Sequence, residues 1–202
     1  MKTGKSEING LVLAGGKSSR MGRDKTIMQW HGIQQQFYLA DILKPFCKEV
    51  FISKRKQQGD DIDSAYKIIV DSYEGIGPYG AILSAFRFQQ DMAWLVVACD
   101  LPLLDKSTLS YLMENRDADT MATTFRSPYD GLPEPLITIW EPKSKSILLD
   151  YLSKGYTCPR KVLIKENNAC LLQAPDPDAL LNVNTPEDLI KAETLIFKNN
   201  RK

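Results

Sequence analysis

The sequence predicts an α/β fold: a mainly parallel sheet covered on both faces by helices, in three layers. Two observations carry this. Near-continuous apolar runs of strand length alternate with segments of helical spacing, and strands buried on both faces lose the in-out alternation of a half-exposed sheet. Several runs also end in glycines or a carboxylate, the place where open α/β sheets bind ligands.

The elements follow in order. Ile8–Ala14 reads as an apolar strand running into glycines. Phe37–Leu43 has helical spacing and stops before Pro45. Glu49–Ser53 is a second strand, and Lys67–Asp71 a third that ends on a carboxylate. Gly75–Gly80 is a turn feeding a helix, with Pro78 at a first helical position and Ile82, Leu83 and Phe86 as its apolar face. Trp94–Asp100 is a fourth strand, again closed by a carboxylate. Asp119–Phe125 and the apolar end of Gly131–Trp140 read as strands, Ser144–Leu152 and Pro159–Glu166 as helices, and Ala169–Leu172 as a short strand. Thr185 caps a last helix that begins at Pro186 and buries Leu189, Ala192 and Ile196. The tail from Lys198 to Lys202 is expected to fray.

The chain has 202 residues, enough for one core, and neither a repeat nor a low-complexity linker divides it. Twenty-six basic residues against 25 acidic ones leave a net charge of +1, which gives no electrostatic footprint for nucleic acid or membrane. No apolar run reaches membrane-spanning length. The four cysteines lack CxxC spacing, so reduced thiols in the cytoplasm are expected. The single histidine, His31, reads as a surface loop residue.

The stretch Leu11–Lys25, LVLAGGKSSRMGRDK, contains Gly16-Lys17-Ser18. A P-loop needs a glycine five positions before the second one, and that position is Leu11. The dinucleotide GxGxxG spacing fails as well. What remains is a strand, two adjacent glycines that expose backbone N–H groups, and cations at 17, 20, 23 and 25 able to surround a triphosphate.

From Leu13 onward this loop resembles the signature of the molybdenum cofactor guanylyltransferases, LAGGxSSRMGxDK. Asp71 with Gly77-Pro78-Tyr79-Gly80-Ala81-Ile82, Cys99-Asp100-Leu101-Pro102-Leu103, and Asn182-Val183-Asn184-Thr185-Pro186-Glu187-Asp188-Leu189 are similar to that family's later motifs, in order. The resemblance implies a Rossmann-like nucleotidyltransferase fold as a single domain over 1–202, with a nucleotide-binding half about 8–105 and an acceptor-binding half about 106–197. It implies transfer of GMP from GTP to the terminal phosphate of molybdenum-molybdopterin, with Mg²⁺ as cofactor. Leu13, Ala14, Gly15 and Gly16 would contact the nucleotide. Arg20 and Lys25 would bind phosphates and act catalytically. Ser53 and Asp71 would also bind the nucleotide, Asp71 at its guanosine portion, and Asp100 would bind the metal and the nucleotide and act catalytically with Arg20 and Lys25. Asn182 and Asn184 would position the acceptor. The other expected partners are molybdoenzymes or cofactor-delivery proteins.

Two departures stand out. Position 53, often Asn beside the base, is Ser53, and position 79, more usually Leu, is Tyr79. Glu134 and Arg126, around a short PEPL segment, fit either the acceptor site or loop chemistry. Asp71 and Asp100 have an alternative as strand-end turn acids, and the asparagines as turn formers. CTP-using relatives read LAAG in place of LAGG, so Gly15 favours GTP. The alternatives are a CTP-using enzyme or a nucleotide-binding delivery protein without turnover.

Overall fold

Strand pairing sets where everything else lies. A computed structural model describes residues 7–15, 25–56 and 65–199. The strands are β1 (Ile8–Leu13), β2 (Val50–Lys54), β3 (Lys67–Val70), β4 (Ala93–Ala98), β5 (Ala122–Arg126), β6 (Pro133–Trp140) and β7 (Ala169–Leu172). They form one sheet in the order β3-β2-β1-β4-β6-β5-β7. Strands β1 to β4 pair parallel, β5 pairs parallel with β7, and β6 alone runs antiparallel to both its neighbours. The expectation of a mainly parallel sheet holds.

The described helices are α1 (Gln35–Leu43), α2 (Gly77–Phe88), α3 (Lys106–Glu114), α4 (Ser144–Ser153), α5 (Pro159–Glu166) and α6 (Pro186–Asn199). Side-chain alternation along the strands divides the core into two layers. Val12, Ile52, Leu95, Val97 and Ile139 pack with Leu39 and Leu43 of α1 and with Leu109 and Leu112 of α3. Leu11, Leu13, Phe51, Ile69, Trp94 and Val96 pack on the opposite face with α2, Leu148 of α4 and Val162 of α5. Helices therefore cover both faces, in the three layers expected.

Helix α3 does not stand out in the sequence, because only Thr108, Leu109 and Leu112 of its residues are buried. Its signal is the cap: the Asp105 carboxylate accepts from Thr108 N at 2.8 Å. The strand expected from Asp119 begins only at Ala122, since Asp117 to Thr120 form a turn in which Thr120 N donates to Asp117 O. Helix α6 is capped as expected, by a reciprocal pair. Asp188 N donates to Thr185 Oγ1 at 3.2 Å, and Thr185 N donates to Asp188 Oδ2 at 2.9 Å. Its inner face packs Leu189, Ala192 and Leu195 against Trp30, Leu103, Leu181 and Val183. Ile196 and Leu195 are both half-buried, and it is Leu195 that packs in the place expected for Ile196.

Tyr79 replaces the usual leucine without loss of packing. It is fully buried, and its hydroxyl donates to Leu148 O at 2.7 Å, tying α2 to α4. At the end of the sheet where β6 finishes, buried Arg116 and Glu141 pair through two hydrogen bonds of 2.7 and 2.8 Å.

Gly80 lets α2 pack closely against the loop that precedes it. A Cβ there would stand 2.2 Å from Tyr73 O and 3.0 Å from Ile76 Cγ1. Backbone cannot move aside as a side-chain tip can, so any larger residue must push the 72–76 loop off α2. Gly80→Ala is expected to lower the melting temperature by about 2–12 °C, as overpacking of about 1–3 kcal/mol does in a domain this size. Gly15→Ala, whose Cβ meets only ordinary contacts of 3.4 Å, is the control that keeps its melting temperature. Equal melting of the two variants would refute this reading.

Candidate active site

The register of the parallel strands aligns four residues of different strands. Leu13 pairs with Ser53 on one side and Ala98 on the other, and Ser53 pairs with Ile69. Two residues farther on, the same register gives the row Asp71, Arg55, Gly15, Asp100 across the carboxyl ends of β3, β2, β1 and β4. By the period of two, all four continue the face that packs on α2. A cleft of about 630 Å³ opens there, lined by Leu13, Gly15, Ser53, Arg55, Asp71 and, from the start of α2, Gly77 and Pro78, among others.

The loop from β3 to α2 closes one side. Gly77 has φ of 56°, a left-handed conformation that turns the chain into Pro78 and the helix. Ser72 N donates to Ser84 Oγ at 2.9 Å, and Ser84 Oγ donates to Gly80 O at 2.7 Å. The N-terminal end of α2 thus faces the cleft, where its peptide dipoles favour an anion.

Asp71 is buried at the cleft floor, 8% exposed. Ser53, wholly buried, donates its hydroxyl to Asp71 Oδ1 at 2.6 Å. Burial pushes the Asp71 carboxyl above its ordinary range, while the Ser53 hydrogen bond and the nearby Arg55 charge draw it back. Ser53 therefore acts on Asp71.

Asp100 stands at the other end of the row, and its backbone carbonyl accepts from Val183 N at 2.9 Å. This bond docks the 182–184 segment on the end of β4. It brings half-buried Asn182 and exposed Asn184 to the Asp100 end of the row. The segment after Asp100 is held from the other side by three side chains. Gln35 Nε2 donates to Leu101 O at 3.1 Å, Tyr38 Oη to Leu104 O at 3.4 Å, and His31 Nε2 to Pro102 O at 2.8 Å. His31 also stacks on Tyr38 at 3.7 Å, so it is a structural tie and not a bare surface residue.

Glu134 and Arg126 have loop partners. Glu134 is buried and pairs with Arg160 at 2.9 Å, and Arg126 donates to Gly131 O at 2.7 Å. Gly16 and Arg20 lie outside the described residues, and of Lys25 only the backbone is described, opening a short 3₁₀ turn at Lys25–Ile27. Leu13 and Gly15 line the cleft, and Ala14, whose N donates to Ser53 O, links β1 to β2 between them. Arg55 was not among the residues expected. Its signal was the period of two continued one step past the end of β2: Phe51, Ser53, Arg55.

Among the described residues no group of three or more His, Cys, Asp or Glu could hold a metal. A lone carboxylate suits Mg²⁺, which takes one or two carboxylates and fills its other positions with water and substrate phosphate oxygens. No described helix is long and apolar enough to cross a membrane.

The comparisons with known proteins agree with this architecture. Residues 10–169 match the family described as "MobA-like NTP transferase domain". The molybdenum cofactor biosynthesis bifunctional protein of Synechocystis sp. is 33% identical over 92% of this chain, which spans 55% of that longer protein. The molybdenum cofactor guanylyltransferase of Shewanella sp. (strain W3-18-1) is 30% identical over 90% of this chain and 93% of its own. A crystal structure titled molybdopterin-guanine dinucleotide biosynthesis protein A, from Archaeoglobus fulgidus, superposes with a TM-score of 0.76 at 25% identity, covering 94% of this chain and 99% of that one.

Two outcomes follow from the geometry. Asp71 holds its proton more tightly folded than unfolded, so its contribution to stability is present at low pH and lost as pH rises past the ordinary carboxylate range. Asp71→Asn, which keeps an acceptor for Ser53, is expected to melt above the parent at neutral pH. The gap should close below about pH 4, where the carboxyl is protonated in both states. A variant melting below the parent at neutral pH would contradict the sign. Gln35→Leu is expected to cost about 1 kcal/mol in urea unfolding. It should also speed amide exchange across residues 101–104 while leaving the centre of β1 protected; unchanged exchange there would show that the side chain does not hold the loop.

Proposed function

The chain belongs to the MobA-like NTP transferase domain family, a family of nucleotidyltransferases, and within it we propose that this protein transfers GMP from GTP to the terminal phosphate of molybdenum-molybdopterin. The observation that carries the reading is the row Asp71–Arg55–Gly15–Asp100. It joins a cleft with room for a nucleoside at one end to a carboxylate beside the asparagine segment at the other.

An oxygen of the acceptor's terminal phosphate attacks the α-phosphorus of GTP. A new P–O bond forms, the bond from the α-phosphorus to the bridging oxygen breaks, and pyrophosphate leaves with the electron pair. The attacking oxygen is ionised at neutral pH, so the step needs no general base, and the work left to the protein is alignment and charge compensation. Leu13 to Gly16 would hold the nucleotide by backbone groups, with Asp71 at its base, braced by Ser53. Arg20 and Lys25 would bind the phosphates and stabilise charge on the leaving group. Asn182 and Asn184 would position the acceptor. Asp100 would hold Mg²⁺, which when bound offsets negative charge on the triphosphate. We propose the cytoplasm as the site of the reaction, a compartment in which the four cysteines would stay reduced.

Gly15 ties this reading to the choice of nucleotide. A methyl there fits the protein, 3.4 Å from Arg55 Cγ and Asp71 Oδ2, and takes up space in the cleft itself. The test is a pyrophosphate-release assay with GTP and CTP in parallel, with and without molybdopterin acceptor. Release is expected from GTP with acceptor and Mg²⁺, to stop with chelator, and to fall by about 10²–10³-fold in Asp100→Ala. Gly15→Ala should shift the ratio of rates toward CTP. Faster turnover with CTP in the parent would replace guanine by cytosine. Tight GTP binding without turnover would make the protein a nucleotide carrier.

A further inference from the structure

We propose that Arg55 reads the nucleobase, donating to the O6 and N7 edge of guanine while Asp71 accepts from the N1–H and N2 amino edge. The proposal rests on the GTP reading above and adds a specificity-determining residue to it.

Three features of the cleft lead here. First, the Arg55 stem and the Asp71 carboxylate both border the space at Gly15: a Cβ there would lie 3.4 Å from Arg55 Cγ and 3.4 Å from Asp71 Oδ2. With no side chain at 15, that space is left open to a flat ring in the cleft that Arg55 and Asp71 both line. Second, the carboxylate is already oriented. Ser53 occupies one lone pair of Oδ1, while Oδ2 is the oxygen nearest Gly15. Third, the two groups are chemically opposite, since a carboxylate only accepts and a guanidinium only donates, through a planar fork.

A ligand that satisfies both must carry paired donors on one side and paired acceptors on another. Guanine does, with N1–H and N2–H₂ beside O6 and N7. The arginine fork matches O6 and N7 with two parallel bonds, the commonest specific arginine–base contact. Adenine and cytosine each offer Asp71 a single amino group. The simpler alternative is that Arg55 only offsets the Asp71 charge. Lysine at 55 would do that equally well but lacks the fork, so the two roles separate.

The experiment measures binding of GTP, 7-deaza-GTP, ITP and CTP by calorimetry to the parent, Arg55→Met, Arg55→Lys and Asp71→Asn, each first checked by its melting curve. 7-Deaza-GTP lacks only N7, and ITP lacks only the N2 amino group. The parent is expected to bind 7-deaza-GTP about tenfold more weakly than GTP, the size of one charge-assisted hydrogen bond. That penalty should vanish in Arg55→Met and shrink in Arg55→Lys, while the ITP penalty persists in both and vanishes in Asp71→Asn. A parent that prefers GTP to CTP but shows no 7-deaza penalty, or keeps it in Arg55→Met, overturns the Arg55 assignment alone. A parent that prefers CTP overturns the guanine reading whatever the variants do.

Discussion

The parallel register of β1 with β2 on one side and β4 on the other is the constraint on which the site depends. Parallel strands all end at the same edge, and a fixed register makes the residues just past their ends neighbours in space although far apart in sequence. Asp71, Arg55, Gly15 and Asp100 come from four strands and share one row for that reason alone. A slip of one residue in any strand would turn its member of the row to the opposite face, toward α1 and α3. The buried apolar residues of both faces resist the slip. The packing that stabilises the sheet is therefore also what sets the spacing of the site.

Strand ends are where the ladder stops, so the loops leaving them must be fixed by other means. Three side chains at the start of the α1 region hold the segment after Asp100 by its carbonyls, and Val183 N holds Asp100 itself. Across the cleft, Gly80 and Ser84 bind the loop after Asp71 to α2. Each acidic end of the row is anchored through its backbone or by a short hydroxyl bond. The Arg116–Glu141 pair at the opposite edge shows the contrast, since there two buried charges satisfy one another. A row of charged residues along the lining of an open cleft is suited to a polar ligand, and a buried pair closed on itself is suited to holding helices and strands together.

Much of this was legible in the sequence. Apolar runs and their punctuation located the strands, and the carboxylates that close the third and fourth strands pointed to one crevice. The cap of α6 could be read from Thr185-Pro-Glu-Asp188, and two hydrogen bonds realise it. What escaped is tertiary in origin. Helix α3 has too few buried residues to set a period. The reversal of β6 changes no local pattern, because its alternate residues face both helical layers as those of a parallel strand do. Arg55 lies past the last apolar residue of β2, so only the adjacency of β3 and β1 gives it meaning. His31 was unreadable for the same reason: its partner, Pro102, is 71 residues away.

The two departures from the family pattern follow one physical rule. A residue that replaces a ligand-facing or purely apolar one in a packed wall must satisfy its own polar atom within the protein, because leaving it unpaired costs more than the bond returns. Ser53 meets this by donating to Asp71, and Tyr79 by donating to Leu148 O. In each case the new hydroxyl fixes a neighbour: the carboxylate at the cleft floor in one, and the α2–α4 contact beneath the cleft in the other. Ser53 spends its one hydroxyl proton on Asp71, and the next residue of the same face that lines the cleft, two positions on, is Arg55. Under the proposed GTP reading, the serine at 53 and the arginine at 55 belong to one arrangement, in which recognition would move outward along β2 by one step of the strand's period.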